Sequence, residues 1–124
     1  MRYAYLTKEF ARQARRSGLS DEGLHEAGER AEEGKVDADL GGGLIKQRVA
    51  RPGRGRSGGF RTIIAYRRGA HAIFLHLFAK ARQANLSEAE LETLQKLAKM
   101  YDALDDAQLD ELVASRGWRR IERD

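Results

Sequence analysis

The chain contains no cysteine, which excludes disulfides, thiol nucleophiles and cysteine-ligated zinc. No apolar run approaches the roughly 18 residues of a membrane span, and no apolar segment follows the start. A cytoplasmic address is therefore expected, with no membrane contact. The three histidines, His25, His71 and His76, stand far apart, and no carboxylate adjoins the latter two. That spacing offers no metal signature. At 124 residues there is material for one domain with one modest core. The most informative absence is acidic: no Asp or Glu occurs from Leu40 through Ser87.

Those 48 positions carry ten Lys or Arg, whereas the rest of the chain holds 13 basic against 19 acidic residues. A segment of one sign is the footprint of phosphate binding and electrostatic steering; a purely solvated basic face is the plainer alternative. The stretch "ARPGRGRSGGFRTIIAY" at 50–66 concentrates the effect, placing four arginines among four glycines and the single proline. Crowded guanidiniums repel one another and glycine raises the entropy cost of ordering a loop, so the pattern suits a loop that grips a polyanion.

The periodicity around this loop predicts an α+β chain in the order β-α-α-β-β-β-α-α, with helices packed on a small antiparallel sheet. "RYAYL" reads as a first strand. Thr7 caps a helix that Gly18 ends, and Ser20 caps a second one running to about Glu33. "LIKQRV" alternates, with Ile45 and Val49 on one face and Lys46 and Arg48 on the other. "FRTIIAY" and "AIFLHLF" form a hairpin through the "RRGA" turn. Strict alternation there puts Ile73, Leu75 and Leu77 on one face and Phe74, His76 and Phe78 on the other. Ser87 and Glu90 make a capping box for a helix carrying Leu91, Leu94, Leu97, Ala98 and Tyr101. A last short helix begins at Asp105 or Asp106.

The chemistry follows from where this order places the cations. Lys46 and Arg48 leave one strand face, Arg54, Arg56 and Arg61 follow from the adjoining loop and strand, and Lys80 and Arg82 end the next strand. In an antiparallel pair the start of one strand lies beside the end of its neighbour, so Arg61 and Lys80 converge. Clustered guanidiniums bind phosphate bidentately and stabilise the extra charge of a phosphorane-like transition state. Such a site cleaves RNA without a metal, using the neighbouring 2′-hydroxyl as nucleophile, provided a base and an acid are at hand. Phe60, Phe74 and Phe78 read as core, and Gly41–Gly43 as an entry loop.

The stretches "DADLGGGLIKQRVARPGRGRSGGFRTIIAYRRG" and "IFLHLFAKARQANLS", in the order β-α-α-β-β-β, resemble the RelE/ParE superfamily of type II toxin–antitoxin toxins. The closest branch is the RelE/HigB-like one, and the likeness extends to about Leu104. The joint pattern carries it: a basic residue, R-S-G-G, an aromatic, Arg, then a strand ending in F-A-K. The resemblance implies a RelE-like domain over 1–124 with a C-terminal helical extension at about 105–124. It implies a metal-independent, ribosome-dependent mRNA endonuclease that inhibits translation and needs no cofactor. Its partners would be the ribosome, mRNA and a cognate antitoxin protein. Residue by residue, Arg54 and Arg56 match mRNA-contacting and proton-transferring cations, Arg61 the contact to the scissile phosphate, and Lys80 the basic patch that ends the last strand. Arg82 falls at the same patch as Lys80, and with Lys46, Arg48 and Arg51 of the basic segment it makes up the RNA-binding candidates.

Two departures stand out. Ala81 replaces a further arginine of many relatives, and residues 83–100 lack the Tyr or His that many relatives carry near the following helix. The general base is therefore open among Lys46, His76 and Lys80. Two other readings keep the fold: a ParE-like gyrase inhibitor that cleaves nothing, and a noncatalytic RNA-binding module. ParE-type chains generally lack the clustered cations, which favours the nuclease.

Overall fold

The computed structural model describes residues 3–52, 55–78 and 85–121, and for 55–58 the backbone alone. Ten elements follow one another: β1 (Ala4–Leu6), α1 (Lys8–Ser17), α2 (Asp21–Glu32), β2 (Ala38–Gly41), β3 (Leu44–Arg51), β4 (Gly55–Tyr66), β5 (Ala72–Phe78), α3 (Glu88–Asp102), α4 (Asp106–Ser115) and β6 (Arg119–Ile121). The six strands form one sheet in the order β2-β3-β4-β5-β1-β6. The α+β class expected from the pattern is the class observed.

Local chemistry sets the helix ends. The Thr7 hydroxyl accepts from the Phe10 amide at 3.2 Å, and Gly18 closes α1 in the left-handed region with φ 72°. Ser20 likewise accepts from Gly23 N at 3.0 Å. At α3 the capping box is reciprocal: Glu90 N donates to Ser87 Oγ and Ser87 N donates to Glu90 Oε1. Asp105 and Gln108 repeat the device at α4.

The sheet separates two cores. On one side α1 and α2 bury Phe10, Ala14, Leu24 and Ala27 against Leu6, Ile45, Val49, Ile64, Phe74 and Leu77. On the other, α3 and α4 lay Leu91, Leu94, Ala98, Tyr101 and Leu109 over Tyr5, Leu44, Ile63, Ala65 and Ile73. A buried glutamine ties the first layer down. Gln47 donates to the carbonyls of Ala27 (3.0 Å) and Lys35 (3.2 Å) and accepts from Asp37 N (2.8 Å).

Three features depart from the expectation. The sheet is mixed, because β1 runs parallel to β5 while every other pair is antiparallel. The long excursion through α1 to β4 inserts the chain back beside β5, where Tyr5 and Leu6 fill both cores. Next, "ADLG" is a strand, joined to β3 by a glycine turn in which Gly41, Gly42 and Gly43 all have positive φ. Finally, the C-terminal segment is not helical throughout. Gly117 (φ 77°) breaks the helical course, Trp118 packs edge-on to Tyr101 at 5.0 Å, and Arg119–Ile121 fills the free edge of β1.

Candidate phosphate-binding site

The register of the central strands places the basic residues. Two rungs cross β3, β4 and β5 on the α3 side of the sheet: Lys46–Ile63–His76 and Arg48–Arg61–Phe78. Arg61 is thus directly opposite Arg48 and diagonal to both Lys46 and His76, separations that long side chains bridge. Arg61, in the middle of β4, pairs with Phe78, the last residue of β5, and the expected convergence of Arg61 with Lys80 falls on a residue outside those described. Lys80 and Arg82 lie outside the described residues, as does Arg54. For Arg56 the position on β4 is described but the side chain is not.

Arg51 is not brought to this cluster. A register shift between Val49 and Arg51 turns the end of β3, and the Arg51 guanidinium stands over the Phe60 ring at 4.6 Å. Phe60 packs against the α1/α2 core, on the opposite side of the sheet. Gly59 makes that turn possible. A Cβ there would sit 2.1 Å from the carbonyl oxygen of Val49, so only glycine lets β3 and β4 approach so closely.

Each cation is held differently. Lys46 Nζ donates to Asn85 Oδ1 at 3.4 Å, linking β3 to the segment that enters α3. The Arg48 amide donates to Asp37 Oδ2 at 2.7 Å, and its carbonyl accepts from the Arg30 guanidinium. Its own side chain reaches only the edge of ion-pair distance from Asp37, 4.0 Å, and is exposed. Arg61 is half-buried, and its Nη1 is buried with no hydrogen-bond partner among the described residues. A buried charged donor left unpaired is costly.

The floor of the site is Phe78, buried, with the His76 ring edge-on to it at 4.7 Å. Burial holds the His76 pKa below its ordinary value, against an opposing pull from the Glu90 carboxylate. His76 reaches this face through a bulge. Ile64 pairs with Phe74 but Ile63 pairs with His76, so Leu75 is an extra residue and strict alternation fails. Phe74 therefore joins the α1/α2 core, while Leu75 and Phe78 join the α3/α4 core. The single alternating face expected for Phe74, His76 and Phe78 does not exist.

A separate concavity lies elsewhere. A cleft of about 490 Å³ opens between α3 and the far ends of β4 and β5, lined by Ala65, Ile73, Ala98, Tyr101, Leu104 and Leu109 among others. Its surface is mostly apolar, with Arg67, Glu92, Lys96, Lys99 and Asp102 also lining it, and no residue of the two basic rungs does so. Among the described residues no group of three or more His, Asp or Glu side chains is placed to hold a metal ion, and no helix is long and apolar enough to cross a membrane.

Sequence reasoning had paired Lys46 with Arg48 and singled out Arg61. It missed Gly59 as a steric requirement, Phe78 as a floor and Glu90 as a neighbour of His76. The double glycine before Phe60, inside a strand pattern, was the available signal for the first of these. The sequence profile described as the RelE toxin of the RelE / RelB toxin-antitoxin system matches residues 1–121. No curated protein matches the chain.

Proposed function

Because the chain belongs to the RelE toxin family of toxin–antitoxin systems, which implies an antitoxin partner, we propose that it is a metal-independent endonuclease cutting mRNA on the ribosome. The observation that carries this reading is the basic rung itself. Arg61 is set between Arg48 and the buried Phe78, and its buried Nη1 has no hydrogen-bond partner among the described residues.

In this reading the scissile phosphate docks on Arg61 and Arg48, with Lys46 at the side, and the family motif assigns Arg54, Arg56 and Lys80 to the same chemistry. The fixed strands hold Arg48 and Arg61 in place before the substrate arrives, so little reorganisation accompanies charge development at phosphorus. The ribose 2′-oxygen attacks phosphorus and the 5′-oxygen leaves, giving a 2′,3′-cyclic phosphate and a 5′-hydroxyl. Confinement to the ribosome supplies the alignment of 2′-oxygen, phosphorus and 5′-oxygen that this small open site does not impose alone. Arg82 and the exposed Arg67 and Arg68 add ribosomal RNA contacts.

The experiment is expression of the chain without a partner, with pulse labelling of protein and DNA. Translation is expected to stop first. Arrest of replication with translation intact would instead favour a gyrase inhibitor.

A further inference from the structure

We propose that His76 is the general base that takes the proton from the 2′-hydroxyl, a role that rests on the endonuclease reading above. Three independent features of its placement carry this.

The first is the bulge. Without the extra residue at Leu75, alternation from Phe74 would send position 76 to the α1/α2 core; with it, His76 pairs with Ile63 on the cationic face. Bulges concentrate where a strand must re-aim a side chain, often beside an active site. The second is position. His76 is the diagonal neighbour of Arg61, one strand away, and shares a rung with Lys46, two strands away. A phosphate held by Arg61 therefore brings its ribose within the region that the imidazole occupies. The third is its surroundings: Phe78 packs against the ring at 4.7 Å and the Glu90 carboxylate from the first turn of α3 acts on it electrostatically, while Lys46 and Arg48 on β3 and Arg61 on β4 hold neighbouring register positions.

Burial favours the neutral imidazole, the form that accepts a proton at neutral pH, against the opposing pull of Glu90. In the step itself the 2′-oxygen loses its proton to a ring nitrogen as its bond to phosphorus forms. The bond from phosphorus to the 5′-oxygen breaks, and that oxygen takes a proton from water. The imidazolium so formed faces Glu90, whose carboxylate is fixed by Ser87 at 3.0 Å and offsets the new charge. Glu90 acts here through His76 and is a positioning residue.

The test uses the full-length chain on ribosomes programmed with a defined mRNA, following single-turnover cleavage from pH 5 to 9. For the wild type, kcat/KM should rise with pH and level off above an inflection below the ordinary histidine value of 6.5. His76→Gln should be slower by about 10²- to 10⁴-fold, lose that inflection, and bind the programmed ribosome as tightly as the wild type. His76→Gly should regain activity with added imidazole, a gain that a merely packed histidine would not show. Wild-type cleavage with an unaltered rate and pH profile in His76→Gln would overturn the assignment and leave the endonuclease intact. No cleavage by the wild type at any pH would overturn both.

Discussion

Replacing Arg61 by methionine separates activity from stability in opposite directions. Methionine keeps the apolar stem that lies over the sheet but removes the guanidinium, and with it a buried Nη1 that has no partner among the described residues. Relief of an unsatisfied buried donor is worth about 1–3 kcal/mol. The directly opposed Arg48 adds like-charge repulsion that the substitution also removes. For a chain of this size each kcal/mol corresponds to roughly 3–5 °C in melting temperature. Arg61→Met should therefore melt several degrees higher than the wild type. Loss of one contact to the transition-state charge lowers the rate by about 10²–10³, so growth arrest should disappear. Thermal unfolding by circular dichroism and a toxicity assay read the two effects on the same protein. A variant that melts lower, or one that arrests growth as the wild type does, would refute the reasoning.

Other perturbations probe the frame around the site. Gly59→Ala should destabilise the fold by several kcal/mol and lower toxicity with it, because its Cβ would overlap the Val49 carbonyl at 2.1 Å; native-like denaturant unfolding would count against the close approach of β3 and β4. Gln47→Leu should cost about 2–4 kcal/mol in urea unfolding, since it leaves the Ala27 and Lys35 carbonyls and the Asp37 amide without their side-chain partner. At alkaline pH the fully buried Tyr5 is decisive. Burial first, then its hydrogen bond to Asp110, push its pKa from 10.0 up to about 12. A phenol held protonated by the fold contributes stability that is complete below pH 10 and is lost as pH rises towards 12. The melting temperature should fall across that window, and Tyr5→Phe should flatten the fall.

Much of this molecule was legible in its residues because the signals were local. Thr7, Ser20, Ser87 with Glu90, and Asp105 each sit at the start of an apolar stripe, and each caps a helix as read. The alternation of Ile45 and Val49 against Lys46 and Arg48 likewise set one face of β3. What escaped was decided over distance. "ADLG" has poor strand propensity and pairs because β3 offers an edge, and "RRI" is too short to alternate but completes the edge of β1. The parallel pairing of β1 with β5 depends on cores that form on both sides of the sheet, not on "RYAYL" itself. The bulge at Leu75 is the sharpest case. Nothing in "AIFLHLF" departs from a regular strand, yet one extra residue moves His76 onto the cationic face. Among the candidate site residues, Arg61 stands out by its motif, whereas the burial of its Nη1 is a property of packing.

The most direct measurement mixes the purified chain with mRNA alone, with programmed ribosomes carrying the same mRNA, and with gyrase and relaxed plasmid. Cleavage is expected only in the ribosomal reaction, in the presence of chelator, leaving a 2′,3′-cyclic phosphate and a 5′-hydroxyl and failing with Arg61→Met. Intact mRNA on ribosomes, together with blocked supercoiling, would contradict a nuclease and identify the basic sheet face as a binding surface only.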